Sequence, residues 1–344
     1  MWMETMKSVG FYKYLPIENE DSLMDLEITK PKPIDKELLV QVKSTSVNPV
    51  DYKIRSPKDK IEENPKILGW DAAGIVVETG DNCELFKVGD EVYYAGDITK
   101  QGCNSEFHII DERIVGFKPV SLSYSESAAL PLTSITAYEA LFEKLSISKE
   151  ANDNLDKTIL IINASGGVGS MAVQLSKSIG LNVVGTASRK ESTEWVKQMG
   201  ADLIVNHHSD IFEQLKQHNV DAVDYILCLH DTDIHWDAIV QSIKPEGKIC
   251  SIVENNKPLD ILKLKNKSAT FVWEFMFTKS MYRTESMVSQ HYILNEISQL
   301  IDSGKIKTSL NTVLSPFNAK TMRQAHQLLE TEKTIGKVVV DFDE

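Results

Sequence analysis

The run Ala164-Ser165-Gly166-Gly167-Val168-Gly169 carries the plainest chemistry in this 344-residue chain. It follows a continuous apolar stretch, Thr158-Ile159-Leu160-Ile161-Ile162, of the kind a strand buried on both faces requires. It leads into 168–179, where apolar residues recur at helical spacing until Gly180 stops the pattern. A strand that turns straight into a helix leaves the first N–H groups of that helix without intrahelical partners, and the helix dipole adds partial positive charge there. Such an end suits a pyrophosphate, and Ser165, Gly166, Gly167, Val168 and Gly169 are the residues expected to meet it. Gly166 is expected to let backbone approach the ligand, and Gly169 to let helix and strand pack closely. The first glycine of the dinucleotide fingerprint is replaced by Ala164, so the flanking strand, helix and second strand carry the assignment.

The second strand, Asn182-Val183-Val184-Gly185-Thr186, reports on which dinucleotide is bound. A site for NAD places an acidic residue about 20 residues after the glycines, on the ribose 2′-hydroxyl. Here Ser188, Arg189 and Lys190 occupy that stretch, and no carboxylate appears before Glu191. A hydroxyl beside two cations suits a 2′-phosphate, so NADPH is the expected cofactor. In doubly wound sheets ligands lie outside the carboxyl ends of the strands, which adds Cys228, Leu229, Ile252 and Val253 as expected cofactor contacts.

These residues need a frame. From Lys157 onward apolar strands alternate with amphipathic helices: strands at 158–162, 182–186, 203–205, 222–227 and 248–253, with helices at 168–179 and 192–199. This alternation predicts an α/β fold with a doubly wound parallel sheet. The first third reads differently. Short strands at 38–43, 74–80, 91–96 and 105–110, punctuated by Gly, Asp and Pro, predict an irregular β-barrel. Helical spacing over 125–145 is broken by Pro131. Helices at 292–301 and 319–329 and a closing strand at 336–340 are expected to return to the barrel.

Bulk properties narrow the function classes. With 50 acidic against 37 basic residues the formal charge is -13, which disfavours nucleic acid and anionic membranes as partners. No apolar run reaches membrane-spanning length. The start lacks a basic head, an apolar stretch and a small-residue cleavage site, so it does not read as a secretory signal; Met6 is a candidate initiator. Cys83, Cys103, Cys228 and Cys250 are scattered and form no C-x-x-C pair, which predicts free thiols and a cytoplasmic protein.

Several landmarks occur in order: Ser46-Val47-Asn48-Pro49-Val50-Asp51-Tyr52-Lys53, Gly69-Trp70-Asp71-Ala72-Ala73-Gly74, Val88-Gly89-Asp90-Glu91-Val92, Ala129-Leu130-Pro131 with Thr136-Ala137-Tyr138, the glycine turn, Gly200-Ala201-Asp202, and Gly336-Lys337-Val338-Val339. Over nearly its whole length the chain resembles the medium-chain dehydrogenase/reductase superfamily, in its quinone oxidoreductase and zinc-type alcohol dehydrogenase-like branch. The resemblance implies a GroES-like β-barrel domain at 1–130 and 310–344 and a Rossmann NADP-binding domain at 131–309, with the active site between them and frequent homodimers or homotetramers. It also implies a nicotinamide-side contact from the Thr136 hydroxyl and a 2′-phosphate contact near His207, for which a solvated turn is the blander reading.

Zinc members of this superfamily hold the metal with Cys, His and Cys. By motif those places fall here on Asn48, Trp70 and approximately Leu132, and neither an indole nor a leucine ligates zinc. No metal site is therefore expected, and the chemistry falls to the cofactor. Reduction of a quinone or an α,β-unsaturated carbonyl spreads charge onto oxygen, where a few donors suffice to stabilise it. Asn48, Tyr52 and Lys53 are the catalytic candidates: Asn48 toward ribose or substrate oxygen, Tyr52 as proton donor, Lys53 as a cation near a carbonyl. A zinc-dependent alcohol dehydrogenase and a non-enzymatic NADPH-binding sensor are the alternatives. His108 reads as structural, and His291 and His326 as partly exposed helix residues. The aromatic stretch 271–277 is expected at a subunit interface in preference to a substrate pocket.

Overall fold

The computed structural model describes residues 4–342, so Met1–Met3 and the last two residues lie outside it. Backbone contacts divide the chain into two compact units, residues 133–276 and a discontinuous unit made of the flanking segments.

In the discontinuous unit, β1 (Thr5–Tyr14) pairs antiparallel with β2 (Met24–Thr29). The chain continues through β3 (Glu37–Val47), α1 (Pro49–Arg55), β4 (Lys58–Ile67), β5 (Ala72–Thr79), β6 (Glu91–Tyr94), β7 (Phe107–Asp111) and β8 (Val115–Phe117). Then come α2 (Tyr124–Ala128) and α3 (Pro131–Tyr138), the second of which crosses into the other unit. Proline at the first helical position is already suited to a start, so Pro131 opens α3 and separates it from α2. β4 joins the β1 edge to give a three-stranded sheet. A larger seven-stranded sheet is built around β3, whose alternating inward residues Leu38, Val40 and Val42 form a core with Val76, Val92, Tyr94 and Ile110.

The continuous unit holds β9 (Thr158–Ile162), α4 (Gly167–Ser178), β10 (Asn182–Thr186), α5 (Lys190–Gln198), β11 (Leu203–Val205), α6 (Ile211–Gln217), β12 (Val223–Cys228), α7 (Thr232–Ser242), β13 (Ile243–Ser251) and β14 (Thr270–Trp273). All six strands are parallel, in the order β11-β10-β9-β12-β13-β14. The strand order reverses between β9 and β12, which is where such sheets open a crevice for ligands.

The chain then re-enters the first unit with α8 (Thr278–Met281), α9 (Ser289–Asp302), β15 (Leu310–Leu314), α10 (Ala319–Glu330) and β16 (Lys337–Asp341). The return comes at Phe277, not at 310 as the sequence suggested. The cause is α9, which packs on β8: the Tyr93 hydroxyl donates to the Leu294 carbonyl at 2.6 Å and the Phe117 N–H donates to Asn295 at 2.9 Å.

Packing of α9 and of α10 in this unit corrects two histidines expected to be partly exposed. His291 is buried, donating through Nδ1 to the Val115 carbonyl at 2.6 Å. His326, on α10, is buried beside the Arg55 guanidinium; burial first, and then that charge, lowers its pKa to about 3. His108 sits in the core of the same unit, with Nε2 donating to the Gln101 carbonyl at 3.0 Å and Nδ1 facing the Tyr94 hydroxyl at 3.1 Å. All four cysteines are unpaired; three are buried and Cys83 is half-buried. Among the described residues no helix is long and apolar enough to cross a membrane.

Candidate functional site

The glycine turn lies where the pattern of residues placed it, between the end of β9 and the start of α4. Asn163 takes a left-handed conformation, φ 66°, which turns the chain out of the strand. Gly166 is the N-cap of α4, supplies no side-chain cap, and is followed by no acidic residue in the first turn. The first N–H groups of a twelve-residue helix are thus left to a ligand of negative charge. Ser165 is buried, and Gly166, Gly167 and Val168 are partly exposed.

Packing explains both the retained glycine and the missing one. A Cβ on Gly169 would lie 2.5 Å from the Asn163 carbonyl oxygen and 2.6 Å from Ala164 backbone, so only glycine fits. Ala164 is tolerated because Gly185 on neighbouring β10 leaves space: a Cβ there would lie 2.9 Å from the Ala164 Cβ.

Beyond β10, Ser188 is partly exposed, while Arg189 and Lys190 are exposed at the start of α5. The Arg189 N–H donates to Ser192 Oγ at 3.1 Å. The strand ends around the crevice continue the ladder. The Leu229 N–H donates to the Ile162 carbonyl and the Ile252 N–H to the Cys228 carbonyl, each at 3.2 Å. Val253 donates to Ser251 Oγ at 3.3 Å. Cys228 is fully buried, its thiol pushed up to about 11 by burial. His207 is half-buried, with Nδ1 3.2 Å from Thr186 Oγ1, and Thr186 Oγ1 accepts from the Asn163 N–H at 2.9 Å. Thr186 therefore joins the phosphate turn to the His207 segment. Thr136 is buried on α3.

In the other unit, Asn48 is the N-cap of α1 and belongs to a buried polar cluster that sequence reasoning did not find. Its Nδ2 donates to Asp71 Oδ2 at 2.7 Å, and its Oδ1 accepts from Lys337 Nζ at 2.5 Å. Lys337 Nζ also donates to Asp71 Oδ2 at 2.9 Å and to the Val47 carbonyl at 3.0 Å. Asp71 Oδ1 accepts from the Leu132 N–H at 2.7 Å. Asp51 accepts from the Asn48 and Gly69 N–H groups at 2.7 and 2.9 Å. Burial pushes its pKa up to about 7, against the opposing pull of the Asn48 N–H and Lys337. The only signal in the sequence was that Asp71 and Lys337 stand inside apolar runs.

Tyr52 and Lys53 share α1, but Tyr52 is half-buried with Glu332 and Glu330 for charged neighbours; burial first, then those carboxylates, raise its pKa. Lys53 is exposed.

The donor set does not fit zinc. The Asn48 amide oxygen already accepts from an ammonium, Trp70 is buried with its indole N–H toward the Asp97 carbonyl at 3.3 Å, and Leu132 offers no ligand atom. Among the described residues no group of three or more His, Cys, Asp or Glu is arranged to hold a metal ion.

The chain combines a parallel six-stranded Rossmann-type unit and a GroES-like unit, the pair of units of an oxidoreductase fold. Family models for the alcohol dehydrogenase GroES-like domain and for zinc-binding dehydrogenases match residues 34–137 and 199–340. A zinc-type alcohol dehydrogenase-like protein of Staphylococcus aureus is 42% identical over 337 residues, covering 98% of this chain and 100% of that protein. A crystal structure from Rhizobium etli, named as a zinc-dependent alcohol dehydrogenase protein, superposes with a TM-score of 0.94 at 42% identity and full coverage of both chains. More distantly, a chloroplastic NADPH-dependent alkenal/one oxidoreductase of Arabidopsis thaliana is 29% identical over 326 residues, covering 92% of this chain and 75% of that protein. The chain belongs to the zinc-type alcohol dehydrogenase-like branch of the medium-chain dehydrogenase/reductase superfamily, and is an oxidoreductase of that family.

Proposed function

We propose that the protein is an NADPH-dependent reductase of quinones or α,β-unsaturated carbonyl compounds that works without catalytic zinc. The observation that carries this reading is the uncapped N-terminus of α4 at the end of β9, with Gly169 held against backbone and no acid ahead of Glu191 after β10. Gly166, Gly167, Val168 and Gly169 hold the pyrophosphate, with Ser165 beside them. Ser188, Arg189, Lys190 and His207 take the 2′-phosphate end, and Thr136, Cys228, Leu229, Ile252 and Val253 border the rest. NADPH supplies a hydride when bound.

The chain's own share is binding, orientation and charge stabilisation. The Asn48 amide is polarised by Lys337 at its oxygen and fixed by Asp71 at one N–H, which strengthens its second N–H as a donor. A donor held this way suits an oxygen that gains negative charge, and such a group is worth about 2.7–4 kcal/mol. Tyr52 keeps its proton, because burial and two carboxylates disfavour the phenolate, and is the candidate donor of the balancing proton. Lys53 is the candidate cation on the same helix. The name of the Arabidopsis relative supports the enone class.

The test is NADPH against NADH oxidation over a panel of quinones, enones and alkenals. Turnover with NADPH and without added metal is expected. Stoichiometric zinc with chelator-sensitive ethanol oxidation would overturn the proposal in favour of an alcohol dehydrogenase, and tight NADPH binding with no turnover on any substrate would favour a sensor. A second expected outcome concerns Arg189→Asp combined with Lys190→Ala. Losing two cations and gaining an anion should weaken NADPH at least tenfold, roughly 1.4 kcal/mol, and leave NADH nearly unchanged. Equal effects on both cofactors would remove these residues from the 2′-phosphate site.

The same reading makes the protein a cytoplasmic homodimer or homotetramer, with neither nucleic acid nor membrane as a partner. β14 is an outer strand of its sheet, and Trp273 and Phe275 near its end are 47% and 45% exposed. An edge strand with exposed aromatics calls for cover, and a second copy provides it. Light scattering of the purified protein is expected to give twice the 38.6 kDa chain mass or more.

A further inference from the structure

Glu139 and Glu274 form a buried carboxyl pair in the Rossmann-type unit, outside the residues assigned to cofactor or substrate. Glu274 stands one residue past β14, and its N–H donates to the carbonyl of Ser251, the last residue of β13, at 2.9 Å. It therefore lies at the carboxyl edge of the sheet, where ligands bind. Glu139 comes three residues after Thr136 and opens the turn Glu139–Lys144, which continues α3. That turn is widened: the Leu145 N–H donates to the Ala140 carbonyl, five residues back, at 2.9 Å. Single widened turns of this kind are frequent at functional sites.

The sheet order decides which half of a dinucleotide meets the pair. β11-β10-β9 and β12-β13-β14 are the two mononucleotide halves of a doubly wound sheet. The phosphate turn and the cations after β10 give the first half to the adenosine end. The nicotinamide end falls to the second half, whose last strand leads into Glu274. The ring is the part of the dinucleotide whose charge changes in the reaction: it is neutral before hydride leaves and cationic afterwards. Around Glu274, Lys144 Nζ stands at 3.6 Å, while Glu139 and Glu143 add negative charge from the same widened turn. From β13, the Cys250 thiol faces it and stays protonated, its pKa raised by burial first and then by the Glu274 charge. Two carboxyl groups in hydrogen-bonding contact hold one proton between them. One proton leaves the pair with a single negative charge beside Lys144; losing it leaves two. Burial first, then Glu139, push the Glu274 pKa up to about 9, so the shared proton is kept across the neutral range. A positive charge arriving nearby favours the ionised form.

We infer that the Glu139–Glu274 pair distinguishes the oxidised from the reduced dinucleotide, giving up its shared proton to solvent when the nicotinamide ring is cationic and taking one back when the oxidised form leaves. The inference rests on the dinucleotide reading above and deepens it: the phosphate turn holds both forms alike, whereas the carboxyl pair responds to the one charge that differs. The cycle balances. Hydride passes from the ring to the substrate, the substrate gains its own proton separately, and the proton released by the pair returns from solvent before the next turnover. By linkage, whatever favours the ionised pair favours NADP+. The oxidised form therefore binds more tightly as pH rises toward 9, and the reduced form, with a neutral ring, is indifferent.

Calorimetric titration of the whole protein with NADP+ and with NADPH at pH 8.5, in buffers of different ionisation enthalpy, counts the protons exchanged. NADP+ is expected to release on the order of half a proton more than NADPH, the value for a tenfold coupling between ring and pair. The ratio of the NADP+ Kd to the NADPH Kd should fall several-fold between pH 7 and pH 9.5. The adenosine and phosphate groups are common to both forms and cancel in these differences. Glu274→Gln, whose amide has no proton to lose, should bind both forms and abolish both differences. Equal proton exchange with the two forms in the parent protein overturns the inference by itself, as does a difference that survives in the variant, and either result leaves the dinucleotide site intact. Failure of both forms to bind the parent overturns the dinucleotide reading as well.

Discussion

Replacing Lys337 with methionine is expected to cost about 3–5 kcal/mol, because it leaves a buried carboxylate without its countercharge. Asp71 is fully buried, and among the described residues Lys337 Nζ at 2.9 Å is the one ammonium that its hydrogen bonds reach. Asn48 and the Leu132 N–H still donate to Asp71 in the variant, but neither carries charge. For a unit of this size the loss corresponds to a fall of roughly 6–20 °C in the melting temperature. Adding Asp71→Asn removes the stranded charge while an amide can keep the neutral hydrogen bonds, so the double variant should melt well above Lys337→Met alone. Thermal melts of the three proteins settle it. A single variant that melts within a degree of the parent would mean that the ammonium contributes nothing to the cluster.

The second large effect concerns pH. Glu139 and Glu274 are both buried in the Rossmann-type unit. Neither Glu274 oxygen has a donor N–H within hydrogen-bond distance among the described residues, and Lys144 Nζ stands off at 3.6 Å. Its hydrogen-bonding neighbour is the Glu139 carboxyl, and two carboxyl groups can bond only if one keeps a proton. Burial, then the negative charge of Glu139, push the Glu274 pKa up to about 9. A raised acid binds its proton more tightly in the folded chain than in the unfolded one. Its contribution to stability is therefore present at low pH and is lost as pH climbs from the ordinary carboxyl range toward 9. The slope is up to about 1.4 kcal/mol per pH unit for one fully linked proton. Glu274→Gln, which hydrogen-bonds without a proton to lose, should flatten the decline in melting temperature between pH 6 and pH 9. A parent protein whose melting temperature holds constant across that range, with a variant that tracks it, would rule out the shared proton.

How far the sequence went depends on how local each feature is. The parallel strands at Thr158–Ile162, Asn182–Thr186 and Leu203–Val205 have the boundaries expected of them, because strands covered on both faces read as unbroken apolar runs. β4 was not anticipated: its residues Lys58–Ile67 are mostly charged and include a proline, as an edge strand permits. The glycine turn was legible because backbone, helix and ligand requirements fall within a few consecutive residues. The reason Ala164 suffices was not, since it depends on Gly185, one strand over. Asp71 and Lys337 are 266 positions apart, and Glu139 and Glu274 meet only when the α3 segment and the end of β14 come together. Pairings of that kind leave no local pattern. The histidines show the same limit from the other side: His207 was singled out alone, and the company it keeps appears only in the fold.

β16 lies between β15 and β3 in the seven-stranded sheet, with Val338 opposite Val47 and Val339 opposite Ser46. A strand at Lys337–Asp341 is therefore an interior plank of a unit that begins with β1, with the whole of 133–276 synthesised in between. Until β16 emerges, the Ser44–Val47 end of β3 lacks its neighbour on the side where β7 covers only Glu37–Gln41, and the Asp71 carboxylate lacks the Lys337 ammonium. The intervening segment 133–276 contains all six strands of its own sheet and can close while its host is still waiting. Nascent chains of this protein should thus complete the 133–276 unit before its host is finished, and a chain cut ahead of β16 would strand the host as a surface for chaperones.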